Sequence, residues 1–138
     1  MLYLVRARLP DTPGTLAAVA LACGRAYVNI VAIYAHPDDE GTVTDDLVVE
    51  APDRWTARDV EDLIRSAGGN GIIVTSATQD DLGDQTSRWL AAACRLIRRP
   101  EDLAVEVAGL SHPALPRTEV ELRRLSLLRE IADAAVSE

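Results

Sequence analysis

Residues 11–33 read DTPGTLAAVALACGRAYVNIVAI, and the reading of this stretch decides the fold. Pro13 and Gly14 mark a turn. Pro fixes φ, and Gly lets the chain take conformations closed to other residues. The following TLAAVALACGRA places Leu16, Val19, Ala20 and Cys23 at helical spacing, which predicts a helix with that stripe inward. VNIVAIYA, residues 28–35, is rich in β-branched residues and apolar on both faces, so it predicts a strand covered on both sides. Upstream, LYLVRARL at residues 2–9 alternates, with Tyr3, Val5, Ala7 and Leu9 on one face and Leu2, Leu4, Arg6 and Arg8 on the other. The stretch is therefore the middle of a β-α-β unit.

A second unit follows. HPDDEGT reads as a surface turn and VTDDLVVEA as a strand closed by Pro52. Thr56, with Asp59 three residues on, opens a helix through ARDVEDLIRSA whose stripe is Val60, Leu63, Ile64 and Ala67. GGNG at residues 68–71 stops it, because Gly and Asn tolerate positive φ at helix ends. IIVTSAT supplies a fourth strand. The order β-α-β-β-α-β, with right-handed crossovers, predicts an α+β ferredoxin-like sandwich: a four-stranded antiparallel sheet with both helices on one face. The other face is bare unless something packs on it.

Beyond this lies an α-helical C-terminal extension. The expected division is a ligand-binding domain at 1–80 and a docking or partner-binding extension at 81–138. TSRWLAAACRLIR, residues 86–98, reads as one helix with Trp89, Leu90, Ala93 and Ile97 inward. Pro100 followed by Glu101 and Asp102 suits a helix start. GLSHPALP breaks the chain, and Thr118 with Glu121 caps a last helix carrying Leu122, Leu125, Leu128, Ala132 and Ala135.

Composition narrows the function. The 138 residues are 48% hydrophobic, and the net charge is −8, with Arg as the sole source of basic charge. An acidic surface of this kind repels phosphate backbones, so no nucleic-acid partner is expected. MLYLVRAR meets Arg6 and Arg8 before any apolar run develops, and no membrane partner is expected either; the chain reads as cytoplasmic. Cys23 and Cys94 each sit in an Ala/Leu-rich helical run and read as buried free thiols.

Residues 11–33 resemble the ACT domain, the small-molecule-sensing module attached to many enzymes of amino-acid metabolism. The resemblance rests on Asp11, Pro13, Gly14, Leu16, Val28, Asn29 and Ile30 and covers residues 2–79. It implies a stand-alone regulatory module that is not an enzyme, binding a small effector such as an amino acid at a homodimer interface. It also implies a partner enzyme in trans. The ligand-binding candidates are Asp11, Thr12, Pro13, Gly14, Thr15, Leu16, Asn29 and Ile30. The amides around Gly14, Thr15 and Leu16 would receive a carboxylate, helped by the helix dipole. Asn29 is expected near the same end of the sheet, offering a donor and an acceptor. The plainer reading is that Asp11 or Thr12 caps the helix, Pro13 takes its first position and Asn29 bonds the backbone locally. A ligand-free dimerisation or adaptor module, binding a partner through its C-terminal helices, is the alternative function.

Other candidates carry less. HPDDEG with Asp45 and Asp46 offers one His and five carboxylates, but without the spacing of a known cation loop, so no metal is expected. Arg6 and Arg8 are expected to form cross-strand ion pairs with Asp46 and Glu50. GGNG follows a helix and does not open one, so it is not a phosphate cradle. His36 and His112 each precede Pro, and no catalytic set can be assembled around them. No cofactor is expected.

Overall fold

The computed structural model describes residues 1–37, 42–83, 85–110, 112 and 114–137, with the backbone alone at residue 80. The chain divides into two compact units, Met1–Leu82 and Gly83–Glu138.

The first unit contains β1 (Leu2–Pro10), α1 (Thr15–Arg25), β2 (Asn29–Pro37), β3 (Thr42–Glu50), α2 (Ala57–Ser66) and β4 (Asn70–Ser76). The strands form one antiparallel sheet in the order β2-β3-β1-β4, the α+β ferredoxin-like sandwich that the alternation predicts. Alternation sets its faces. Tyr3, Val5, Ala7 and Leu9 from β1 and Leu47 and Val49 from β3 form one core with Val19 and Cys23 of α1 and Val60 and Ile64 of α2. Both helices therefore lie on the same face. On the opposite face Leu4, Arg6, Asp46 and Val48 are also buried.

The two helices begin differently. In α2 the Thr56 hydroxyl accepts from the Asp59 amide at 3.4 Å, and the Asp59 carboxylate accepts from the Thr56 amide at 2.7 Å, the reciprocal box that the spacing predicts. Helix α1 starts at Gly14, whose φ of 90° is left-handed and which offers no side chain as a cap. The expected inward stripe of α1 is only half right. Val19 and Cys23 are buried, whereas Leu16 is 45% exposed and Ala20 is exposed. Likewise β2 is not covered on both faces: it is an edge strand, and Val31 and Ile33 are exposed.

The second unit is helical: α3 (Gln85–Arg98), a 3-10 turn at Pro100–Asp102 leading into α4 (Leu103–Leu110), and α5 (Glu119–Val136). The Thr118 hydroxyl accepts from the Glu121 amide at 3.2 Å, as the spacing predicts. The core is Trp89, Leu96 and Leu128, with Ala93, Leu103, Leu110, Leu125 and Ile131 packed against it. Helix α3 is rotated from the expected phase, since Trp89, Ala92 and Leu96 face inward while Leu90 and Ile97 are exposed. The same rotation leaves Cys94 exposed; of the two thiols only Cys23 is buried. In α5, Leu128 and Ala132 are buried, but Leu122 is outside the core and exposed. No helix among the described residues is long and apolar enough to cross a membrane.

Candidate functional site

The turn between β1 and α1 is exposed from Asp11 to Gly14. It is closed by a bond from the Thr15 amide to the Thr12 carbonyl at 3.3 Å, and the Thr12 and Thr15 hydroxyls meet at 2.9 Å. Neither Asp11 nor Thr12 caps the helix, and Pro13 precedes the cap instead of occupying the first helical position. The Thr15 amide is used within the turn, and the Ala18 amide takes the Gly14 carbonyl at 3.0 Å. From the cap through the first helical turn, the amides left without an acceptor among the described residues are those of Gly14, Leu16 and Ala17. They carry the positive end of the helix dipole outward, with no acidic residue in the first turn to answer it.

Asn29 and Ile30 lie elsewhere. Asn29 pairs in register with Glu50, and Glu50 pairs with Leu2, so Asn29 stands level with the start of β1. The Asp11–Leu16 turn follows the end of the same strand. The 9 residues of β1 span roughly 30 Å. The structure therefore does not bring Asn29 to the turn within one chain. The expectation that Asn29 lies near the turn fails because a crossover helix returns the chain to the opposite end of the sheet. Asn29 is exposed, and Ile30 is partly buried against the core.

Asp45 and Asp46, which the sequence offers only as part of a cation candidate and, for Asp46, as an ion-pair partner, point to opposite faces of the sheet. Asp46 sits on the sheet face opposite the helices, opposite Arg6 in register. The Arg6 guanidinium donates to it twice, from Nε to Oδ1 at 2.7 Å and to Oδ2 at 2.8 Å, and His36 Nε2 lies 3.3 Å from Oδ2. Burial alone would raise the Asp46 carboxyl, but the Arg6 and His36 hydrogen bonds outweigh it and hold it below the ordinary range. This is the expected cross-strand ion pair, with His36 joined to it. Glu50 is not part of it, since it lies level with Leu2. Arg8 is exposed and faces Thr44.

Asp45, its neighbour, points to the helix-covered face with Leu47 and Val49. It is only 7% exposed, and burial pushes its carboxyl up, with the charges of Asp46 and Asp11 acting in the same direction and His36 against them. In register it lies between Ala7 and Ala35. Its signal was in the sequence: an Asp in phase with the apolar residues of its strand. Of the cation candidate, HPDDEG with Asp45 and Asp46, residues 38–41 lie outside the described residues, while His36, Pro37, Asp45 and Asp46 are described.

No family model matches the chain, and none of the curated proteins does. Solved structures similar to it include an ACT domain protein from Streptococcus pneumoniae, 20% identical over 56% of this chain and 90% of that one, with a TM-score of 0.44. The C-terminal domain of the MgtC protein from Mycobacterium tuberculosis is 13% identical over 55% of this chain and 86% of that one, with a TM-score of 0.46. A formyltetrahydrofolate deformylase from Pseudomonas putida is 13% identical over 56% of this chain, with a TM-score of 0.45. The match spans 29% of the deformylase, less than a third of its length. At this level of likeness nothing about ligand or activity passes from these proteins to this chain.

Proposed function

We propose that the Met1–Leu82 unit is a regulatory module of the ACT type that binds a small effector, an amino acid, at an interface between two copies of the chain, and modulates a partner enzyme. The observation that carries this reading is the placement of Asn29, on the edge strand β2, and of the Gly14 turn at opposite ends of the sheet. Among the described residues, strand β2 has a neighbouring strand on one side only. A second copy adding antiparallel to that edge about a two-fold axis would bring the start of one β2 to the end of the other. The partner's Asn29 would then stand near the turn that its own chain's geometry keeps it from reaching. The apolar residues outside the core on this side, Leu16, Leu21, Val31 and Ile33, would be covered by the same pairing.

Light scattering and a thermal-shift screen of the twenty amino acids on the full chain test this. The expected result is a dimer whose melting temperature rises with at least one amino acid, because a ligand that binds only the folded state raises apparent stability. Val31→Lys should abolish both dimer and response, and Asn29→Ala and Gly14→Val should abolish the response. A folded protein that answers none of the twenty counts against the reading.

A second reading, an adaptor whose C-terminal helices bind a partner, is favoured by the exposed apolar residues of the second unit, among them Leu90, Ile97, Val105 and Leu127. It predicts partner capture that survives Asn29→Ala and Gly14→Val.

A further inference from the structure

Helix α3 carries a second apolar stripe on the side away from its core. Trp89, Ala92 and Leu96 face inward, while Leu90 and Ile97 are each 62% exposed and Ala91 and Cys94 are exposed between them. Leu90, Cys94 and Ile97 recur at the alternating spacing of a helix face, so they line one side of α3 over about 10 Å. This is the seam spacing with which one helix packs on another. Covering it removes two large aliphatic side chains from water, which favours a partner there.

The charge beside the stripe has one sign. The chain as a whole carries −8, yet residues 85–99 hold Arg88, Arg95, Arg98 and Arg99 and no acid. Helix α4 answers part of this. It runs antiparallel along one flank of α3, where Arg95 donates to both Glu106 carboxylate oxygens at 2.8 Å and Arg88 donates to the Gly109 carbonyl at 2.9 Å. Arg99 lies 3.2 Å from Asp102 and 3.5 Å from Glu101. Arg88 and Arg98 have no carboxylate partner among the described residues. Arg98 stands one turn beyond Cys94, at the edge of the stripe, and Arg88 is on the flank that α4 borders. The exposed seam is therefore apolar along its centre and basic along one side.

An occupant must bring apolar side chains at the same spacing and negative charge beside them. We infer that the Leu90–Cys94–Ile97 face of α3 docks an amphipathic helix of a partner protein whose apolar stripe is flanked by Asp or Glu. This rests on the reading in which the C-terminal helices bind a partner, and it does not depend on the effector. A second copy of the chain fits the face less well, because two α3 helices packed antiparallel about a two-fold axis set the basic flank against itself. An anionic membrane also fits it less well: Trp89 points into the core and not toward a bilayer, and the chain as a whole is acidic.

Fluorescence anisotropy with the full chain tests this. The probes are two synthetic helices of about 18 residues with leucine at the seam spacing, one flanked by glutamate and the other by lysine. The glutamate helix should bind about tenfold or more tightly than the lysine helix, with an affinity that falls as salt rises. Leu90→Ser with Ile97→Ser should abolish binding, and Arg88→Glu with Arg98→Glu should reverse the preference. All four positions are exposed, so the melting temperature should stay that of the native chain. Binding of neither helix at ~1 mM, or equal binding of both, overturns the inference. Uptake of the chain by phosphatidylserine vesicles that the Leu90/Ile97 variant loses gives the face to a membrane, and loss of the chain's own association in that variant gives it to a second copy; either overturns it too. If Leu127→Ser abolishes binding of the glutamate helix and the Leu90/Ile97 variant does not, α3 is the wrong surface, although the partner-binding reading stands.

Discussion

Helices α1 and α2 occupy matching places in the two halves of the sandwich, yet their ends are built in opposite ways. Helix α2 begins with a Thr56–Asp59 capping box and ends on Gly68, which takes a φ of 109°. Its last carbonyls are closed by the Gly68 amide to Arg65 at 3.1 Å and the Gly69 amide to Ile64 at 3.0 Å. Helix α1 begins on a glycine and ends on Tyr27, whose φ is 58°. There the same pair of bonds is made, from the Tyr27 amide to Gly24 at 3.2 Å and the Val28 amide to Cys23 at 2.9 Å. The residue types that favour each position have been exchanged between the ends. Outer surfaces differ as well: α2 presents Arg58, Glu61, Asp62 and Arg65, and α1 presents Leu16, Ala17, Ala20 and Leu21. Helix α2 is made to be stable on its own sheet. Helix α1 gives up a cap, a relaxed end and a polar surface, which is what a helix with a ligand at one end and another chain along its side would do.

The largest effect that sharpens this contrast comes from truncating one apolar residue on each helix. Ile64 is 1% exposed, and Ile64→Ala should cost about 2–5 kcal/mol in urea unfolding. Leu21 is 54% exposed, and Leu21→Ala should stay within about 0.5 kcal/mol when the protein is dilute enough to be monomeric. At concentrations where a dimer forms, the cost of Leu21→Ala should grow. A cost that is small at every concentration would make the outer face of α1 an ordinary surface and remove half of the comparison.

The amino termini give a smaller pair. Thr56→Ala removes the cap of α2 and should cost about 1 kcal/mol. Gly14→Ala meets no atom within 4 Å of the added Cβ, so its cost is that of holding an alanine at a φ of 90°, about 1–2 kcal/mol. The two losses are similar in size and different in origin. An amino-acid effector should restore stability to Thr56→Ala as fully as to the native chain, and less to Gly14→Ala. Equal rescue of both would take the ligand away from the turn.

The same asymmetry explains what was legible in the sequence. Strand alternation in β1 and the spacings Thr56–Asp59 and Thr118–Glu121 are local signals, and they gave the sheet and two helix starts. Helix α1 is apolar nearly all round, so its periodicity does not fix which stripe faces inward, and Leu16, at core spacing, is exposed. The run LAAA in α3 has the same ambiguity, and a rotation of the helix moved Leu90 and Ile97 outward and Ala92 and Leu96 inward. The position of Asn29 is hidden from the sequence for another reason. Its end of the sheet depends on the direction of a crossover and the register of two strand pairs, neither of which is a property of VNI itself. Asp45 was legible in principle, because strand phase alone puts it with Leu47 and Val49, but its burial is a three-dimensional fact.

The carboxyl end of α1 offers the smallest and most discriminating change. Tyr27 is 88% exposed, so its ring contributes little to the core of its own chain, while its backbone occupies the left-handed region that glycine takes without strain. Tyr27→Gly should therefore stabilise the monomer, by up to about 1 kcal/mol, reversing the usual cost of removing a large side chain. The gain is read as a higher urea midpoint with an unchanged slope. If the aromatic ring is kept for a neighbouring chain, the same variant should weaken the dimer in sedimentation even as it strengthens the fold. A variant that is more stable and dimerises as before would leave the strain at Tyr27 without a function, and would narrow the contrast between the two helices to their amino termini and outer faces.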